Sequence, residues 1–162
     1  MITVSKEDYL KAILEAECEG EQVIAARLAQ WLSVSAPAVT MALRRLKRDG
    51  LVSVRADGKV LLTAEGRNIA RRLTFRHHLI ERMLHEVFGM PWYKVHDEAE
   101  RLEHAVSDQL IERMALALGN PRYDPHGAPI PTTGGEIERP NHVPLTEIPP
   151  GRVAEVRMVS DK

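Results

Sequence analysis

The stretch His96-Asp97-Glu98-Ala99-Glu100-Arg101-Leu102-Glu103-His104 crowds two imidazoles and several carboxylates into a short span. Read as a helix, with each residue advancing about 100°, it places Glu100 about +40°, Glu103 about −20° and His104 about +80° from His96. These four potential ligands then share an arc of about 100°. The apolar residues Val95, Ala99, Leu102 and Val106 line the adjoining face, and the one cation inside the stretch, Arg101, points away. Carboxylate oxygens beside imidazole nitrogens suit a divalent transition ion. A charged surface helix with incidental histidines is the competing reading of the same pattern.

His77 and Glu81 form a second pair, four residues apart and so neighbours on one helical face, with His85 one turn further. A lone His/Glu pair is as readily a helix-stabilising contact as a ligand pair. Asp8 stands one residue ahead of an apolar stripe, and reads first as an acidic residue favourable at a helix N-terminus.

These residues sit in a chain of 162 residues, 44% hydrophobic, which holds one ordinary domain or two small ones. With no run of about 18 apolar residues and no signal-peptide pattern, the protein is expected in the cytoplasm, with no membrane partner. The single cysteine, Cys18, excludes an internal disulfide and a Cys-rich zinc site, and nothing marks its thiol as activated. A net charge of −1 conceals an asymmetry. Residues 24–82 carry 12 Lys/Arg against 4 Asp/Glu, and the remainder carries 10 against 19. A basic block inside an acidic chain points to a polyanion-binding module joined to something else.

Taken in order, residues 5–19 read as a first helix capped by Ser5, with Tyr9, Leu10, Ile13, Leu14 and Cys18 as its apolar stripe. A short helix follows over 24–31. Ser35 then caps a third helix, Ala36 to Arg48, with Pro37 in its first turn and Val39, Leu43 and Leu46 inward. Ser35, Ala38, Thr40, Met41, Arg44, Arg45 and Arg48 remain for solvent or a ligand. Two short helices joined by a tight turn, the second ending in cations, make a helix-turn-helix pattern. Residues 51–55 and 59–62 flank Ala56-Asp57-Gly58 as a β-hairpin, the wing of a winged helix.

Thr63 caps a long helix from Ala64 to about Val87, whose first half carries Arg67, Arg71, Arg72 and Arg76. The ligand-bearing helix is expected over Trp92 to His104, and a last apolar helix runs from Ser107 or Asp108 to Leu118. Short helices this rich in Leu, Ile and Met need a surface to pack on, and a dimer interface is the economical answer. Residues 119–151 read as an irregular Pro-rich connector, and Arg152 to Val159 alternates like a strand.

This order of parts closely resembles the diphtheria toxin repressor family of metal-dependent transcription regulators. The resemblance rests on Val95-His96-Asp97-Glu98-Ala99, Glu103-His104, Ser107-Asp108 and Pro125-His126-Gly127-Ala128-Pro129-Ile130-Pro131, and covers about residues 5–131. It implies a mainly α protein. A winged helix-turn-helix DNA-binding domain spans 1–63 and a connecting helix with a metal-binding dimerisation domain spans 64–120. A Pro/Gly-rich linker over 121–162 leads into the start of an incomplete SH3-like segment.

Carried over position by position, the resemblance implies one metal site from Asp8, Glu100, Glu103 and His104. It implies a second from His77, Glu81 and His96, with His77 completing the first in some relatives. Asp124 and His126 stand where some relatives place further ligands. Ser35, Pro37, Ala38 and Thr40 would face base edges, and Arg27, Arg44, Arg45 and Arg48 would contact phosphates. The implied function is repression of metal-homeostasis genes by a homodimer on a palindromic double-stranded operator, with Mn²⁺ or Fe²⁺ as co-repressor. The resemblance also implies Zn²⁺ and Co²⁺ as expected substitutes in vitro. Glu100 and Asp8 are hard oxygen ligands, as in the manganese-sensing branch, but that branch has a carboxylate where this chain has Lys11. A cation there would repel a second, closely paired ion.

Two rivals come from other classes. A carboxylate-bridged di-iron enzyme needs Glu-x-x-His on two helices, and neither Glu81/His85 nor Glu100/Glu103 has that pattern. A zinc protease needs His-Glu-x-x-His, and His85-Glu86 lacks the second histidine. With no nucleophile–base arrangement either, an enzyme is not expected. A metal-independent winged-helix regulator remains the stronger rival.

Overall fold

In a computed structural model, residues 4–131 and 141–159 are described. The chain divides into two compact units, residues 1–74 and 75–162. The long helix α4, Ala64–Glu86, contributes its first turns to one and its remainder to the other. Among the described residues, no helix is long and apolar enough to cross a membrane.

The first unit holds α1 (Val4–Cys18), α2 (Ala25–Trp31), α3 (Ala36–Arg48) and the strands β1 (Val52–Val54) and β2 (Val60–Leu62). Helix α1 packs on α2, α3 and β2. Its stripe, Tyr9, Leu10, Ile13 and Leu14, is buried beside Leu28, Val39, Leu46, Val52 and Val60. The strands pair antiparallel with Val52 opposite Leu62, and the amide of Val60 also donates to the carbonyl of Val23 at 2.9 Å. Ser35 caps α3, its hydroxyl accepting from the amide of Ala38 at 3.4 Å, as its position before Pro37 leads one to expect. Ser5, expected to cap the first helix, lies inside α1 instead.

Thr63 ties the wing to α4. Its hydroxyl donates to the carbonyl of Gly50 at 2.7 Å and accepts from the amide of Gly66 at 3.1 Å. Gly66 is required there because a Cβ would fall 2.0 Å from the carbonyl oxygen of Leu51. This is the close approach of helix backbone to the backbone just ahead of β1 that only glycine permits.

The second unit is built on the rest of α4, a 3-10 turn at Trp92–Lys94, α5 (Val95–Leu102) and α6 (Asp108–Ala117). Leu79, Ile80 and Leu84 of α4 pack with Val95 and Ala99 of α5 and Ile111 of α6. Ser107 caps α6 by accepting from the amide of Leu110 at 3.3 Å.

Three expectations from sequence need correction. The ligand-bearing helix is shorter than Trp92 to His104. It begins at Val95, stops at Leu102 and leaves Glu103 and His104 in the turn before α6. Glu103, the C-cap, keeps helical dihedrals and donates its amide to Ala99, so the helical arc stops short only of His104. The connector is not irregular throughout, because Tyr123 bridges Pro129 and buries Asp124, His126 and Ile130. A turn hydrogen-bonded around one aspartate packs as well as a regular element. Finally, residues 152–159 form no strand. The alternation of Arg152 to Val159 finds no partner strand among the described residues, and a strand needs a ladder to exist. The remaining connector residues, 132–140, lie outside the described residues.

Candidate metal centre

Helix α4 supplies the first imidazole. His77 is 2% exposed, and its Nδ1 lies 2.6 Å from Glu103 Oε2. Its Nε2 lies 3.0 Å from Glu81 Oε1 and 3.1 Å from His96 Nδ1. Glu81, one turn along α4, is fully buried, and its Oε1 is 3.4 Å from His96 Nδ1. His77, Glu81 and His96, expected from the resemblance to share an ion, thus offer one atom each within 4.8 Å of one another.

The proton count of this cluster is informative. If His77 donates its Nδ1 proton to Glu103, a neutral ring directs the Nε2 lone pair at a carboxylate oxygen of Glu81. Two acceptors at hydrogen-bond distance repel unless a second proton or a cation lies between them. A histidine whose outer nitrogen donates to a carboxylate while the inner one faces further donors is the usual support of a metal ligand. The other oxygen of Glu81, Oε2, is buried with no hydrogen-bond partner, a further vacant donor for a cation. The residues present therefore fit a divalent ion.

Glu103 extends the cluster. It is 1% exposed and its Oε1 lies 3.4 Å from His104 Nε2. Glu100 is exposed on α5, with Oε1 3.6 Å from His96 Nε2. Asp8 belongs to the first unit, half-buried on α1, where Lys11 is buried one turn on. Cys18 ends the same helix, half-buried.

Beside Glu81 stands a further group, of which the sequence indicates only Asp124 and His126. Asp124 caps its own turn, Oδ1 accepting from the amides of His126 and Ala128, both at 2.8 Å. Its Oδ2 faces His78 Nε2 at 3.6 Å, and His126 Nδ1 lies 3.8 Å from Glu81 Oε1. His78, Glu81 and Asp124 form a second compact donor set. His78 was not singled out from sequence. The doubled histidine in Arg76-His77-His78 was the available signal, but adjacent helix positions diverge by about 100° and only the fold could bring Asp124 to the second.

Electrostatics separates the two carboxylates. Burial pushes the Glu81 carboxyl up, but hydrogen bonds with His77 and His96 and the charges of His77 and His78 outweigh it and hold Glu81 below the usual carboxylate range. Burial, followed by the charge of Glu81, pushes Asp124 up to about 7, against the two backbone amides that favour its ionised form.

The first unit presents a different surface. Ser35, Pro37, Ala38, Thr40, Arg44, Arg45 and Arg48 are all exposed on α3 and its cap. The Thr40 hydroxyl donates to the carbonyl of Ala36 at 3.0 Å, and Arg48 Nε donates to Asp49 at 3.1 Å. Arg27, exposed on α2, pairs with Glu21 at 2.6 Å.

A winged helix-turn-helix followed by a helical unit with buried carboxylates and imidazoles defines a class, DNA-binding proteins with a metal-binding helical domain. Two family profiles match accordingly. One, described as the iron dependent repressor N-terminal DNA binding domain, matches residues 1–60. The other, the iron dependent repressor metal binding and dimerisation domain, matches residues 63–132. The chain belongs to the iron-dependent repressor family. It is 40% identical over 152 residues to the iron-dependent repressor IdeR of Mycobacterium tuberculosis, covering 90% of this chain and 66% of that protein. It is 37% identical over 158 residues to the diphtheria toxin repressor of Corynebacterium glutamicum, covering 94% and 69%. Among solved structures, a manganese-dependent transcriptional repressor in complex with manganese aligns with a TM-score of 0.89 at 40% identity, covering 96% of this chain and 72% of that one. The chain thus spans about two thirds of the length of these relatives.

Proposed function

We propose that this protein is a metal-dependent transcriptional repressor, a homodimer that binds a palindromic operator when Mn²⁺ or Fe²⁺ is bound as co-repressor. The observation that carries the reading is the convergence of buried His77, Glu81 and Glu103 with half-buried His96, donors that repel one another without a proton or a cation. His77, Glu81 and His96 form one ligand set. Glu100, Glu103 and His104, with Asp8 carried over from the family resemblance, form the other. Oxygen-rich donors with imidazole suit Mn²⁺ or Fe²⁺, and selectivity between them follows from geometry and supply. The relatives' names include both an iron-dependent and a manganese-dependent repressor.

A bound divalent cation would supply the positive charge that lets these carboxylates and imidazoles stand together. The residues themselves do the rest. Glu103 and His104 hold the turn before α6 in one position. An effector of this kind acts by binding one arrangement of the protein better than another. Dimerisation would use the apolar surface of the second unit, where Val87, Phe88, Trp92, Tyr93 and Leu116 are exposed. A two-fold pair of winged helices reads half-sites about 34 Å apart, one turn of DNA. Ser35, Pro37, Ala38 and Thr40 face the bases, while Arg27, Arg44, Arg45 and Arg48 engage phosphates.

The test is binding to a candidate palindrome under anaerobic titration with Mn²⁺, Fe²⁺, Zn²⁺ and Co²⁺. Operator affinity should rise steeply with Mn²⁺ or Fe²⁺. Equal affinity in chelator and in metal would instead favour a metal-independent winged-helix regulator.

A further inference from the structure

Arg76 belongs to the basic first half of the long helix, with Arg67, Arg71 and Arg72. Its side chain is only 17% exposed. One guanidinium nitrogen donates to the carbonyls of Glu103, at 3.2 Å, and Val106. The other pairs with the carboxylate of Asp108, the first residue of α6.

The turn it holds has a particular need. Helix α5 stops at Leu102, and the amides of Glu103, Ala105 and Val106 bond back to Ala99 and Leu102. The last carbonyls of a helix have no amide ahead of them and must find another donor. In the turn just beyond that end, the carbonyls of Glu103 and Val106 are served by Arg76, while those of Ala99 and Leu102 take backbone amides. We propose that Arg76 is a positioning residue: by holding the carbonyls of Glu103 and Val106 against α4, it fixes where the side chains of Glu103 and His104 stand. The proposal rests on the metal reading given above.

Three features point beyond ordinary stabilisation. Adjacent positions of α4 grip the same residue at both ends, since Arg76 takes the backbone of Glu103 while His77 takes its carboxylate. The planar guanidinium reaches two carbonyls from one nitrogen and a carboxylate from another, a spread that donors radiating from a single ammonium nitrogen do not match. Asp108 also balances the charge of Arg76, so the clamp does not set an unopposed cation beside side chains meant for one.

The test uses the full chain with Arg76→Met, Arg76→Lys, Asp108→Asn and, as a control, Glu103→Gln. Each is titrated anaerobically with Co²⁺, following its visible ligand-field bands, and with Mn²⁺. Unfolding temperature is measured separately in chelator. Arg76→Met should weaken ion binding by about tenfold or more, the usual cost of losing the support behind a ligand. It should also change the intensity of the Co²⁺ bands. Arg76→Lys should recover binding only in part, and Asp108→Asn should shift affinity and bands in the same direction by less. A folded Arg76→Met protein with wild-type affinity and spectrum overturns the proposal if Glu103→Gln loses binding. If Arg76→Met does not fold, unchanged affinity and bands in Asp108→Asn overturn it. Wild-type binding by Glu103→Gln would instead remove the metal reading of Glu103 itself.

Discussion

The face of α3 and the interior of the second unit solve opposite problems. On α3, Val39, Leu43 and Leu46 are buried while Ser35, Thr40, Arg44, Arg45 and Arg48 all face solvent. The residues for chemistry are what packing leaves over. In the second unit His77, Glu81 and Glu103 are among the most buried side chains of all. There the functional groups occupy core positions, and each must find a partner or impose a cost on the fold. A surface site tolerates change in its members, whereas a buried one links binding to stability.

The comparison is broken most decisively at Glu103. Glu103→Ala removes a proposed ligand and the acceptor of His77 together, so metal-dependent operator binding should fall by about a hundredfold or more, as loss of a buried charged partner does. Gel-shift titration with Mn²⁺ measures this, and unchanged metal dependence would refute the proposed role. Next in size is Gly66→Ala in the first unit. Its Cβ would meet the carbonyl of Leu51 at 2.0 Å, and neither backbone yields readily. A loss of about 2 kcal/mol in chemical denaturation is expected from overpacking of this kind.

Arg45→Ala should then weaken operator binding about tenfold across all sequences alike and reduce the slope of log K against log salt by about 1. A change in sequence preference instead would place Arg45 against bases. The gentlest effect is a pH dependence. Asp124 titrates near 7 when folded, above its ordinary range, so its contribution to stability is complete below that range and is lost as pH rises towards 7 and beyond. Glu81 works in the opposite sense, its contribution being present above the ordinary carboxylate range and lost as pH falls through and below it. In chelator, the protein should unfold more easily at pH 7.5 than at about pH 5.5, and Asp124→Asn should flatten that difference. An unchanged pH profile in Asp124→Asn would show that another group is responsible.

The winged helix was legible almost residue by residue. Ser35-x-Pro37, the spacing of Val39, Leu43 and Leu46, and the glycine-bearing loop at Asp57-Gly58 are local signals, and each element begins and ends within a residue or two of where they place it. The tail was not legible in the same way. Alternation in Arg152 to Val159 specifies a strand only if a neighbouring strand exists to pair with it. Instead the amide of Val159 donates to the carbonyl of His126, and Gly127 admits the passing chain because a Cβ there would fall 1.9 Å from the carbonyl of Arg157.

From sequence alone came the ligand-bearing residue types, the helix carrying His77 and Glu81 four apart, and the exposed cationic face of α3, since these depend on periods of a single helix. Only the tertiary structure decided that α5 ends before Glu103, that Arg76 turns to the following turn instead of outward, and that His78 meets Asp124. The last two are contacts between segments far apart in the chain, made because buried carbonyls and carboxylates must find donors, and no local pattern encodes which donor will be near.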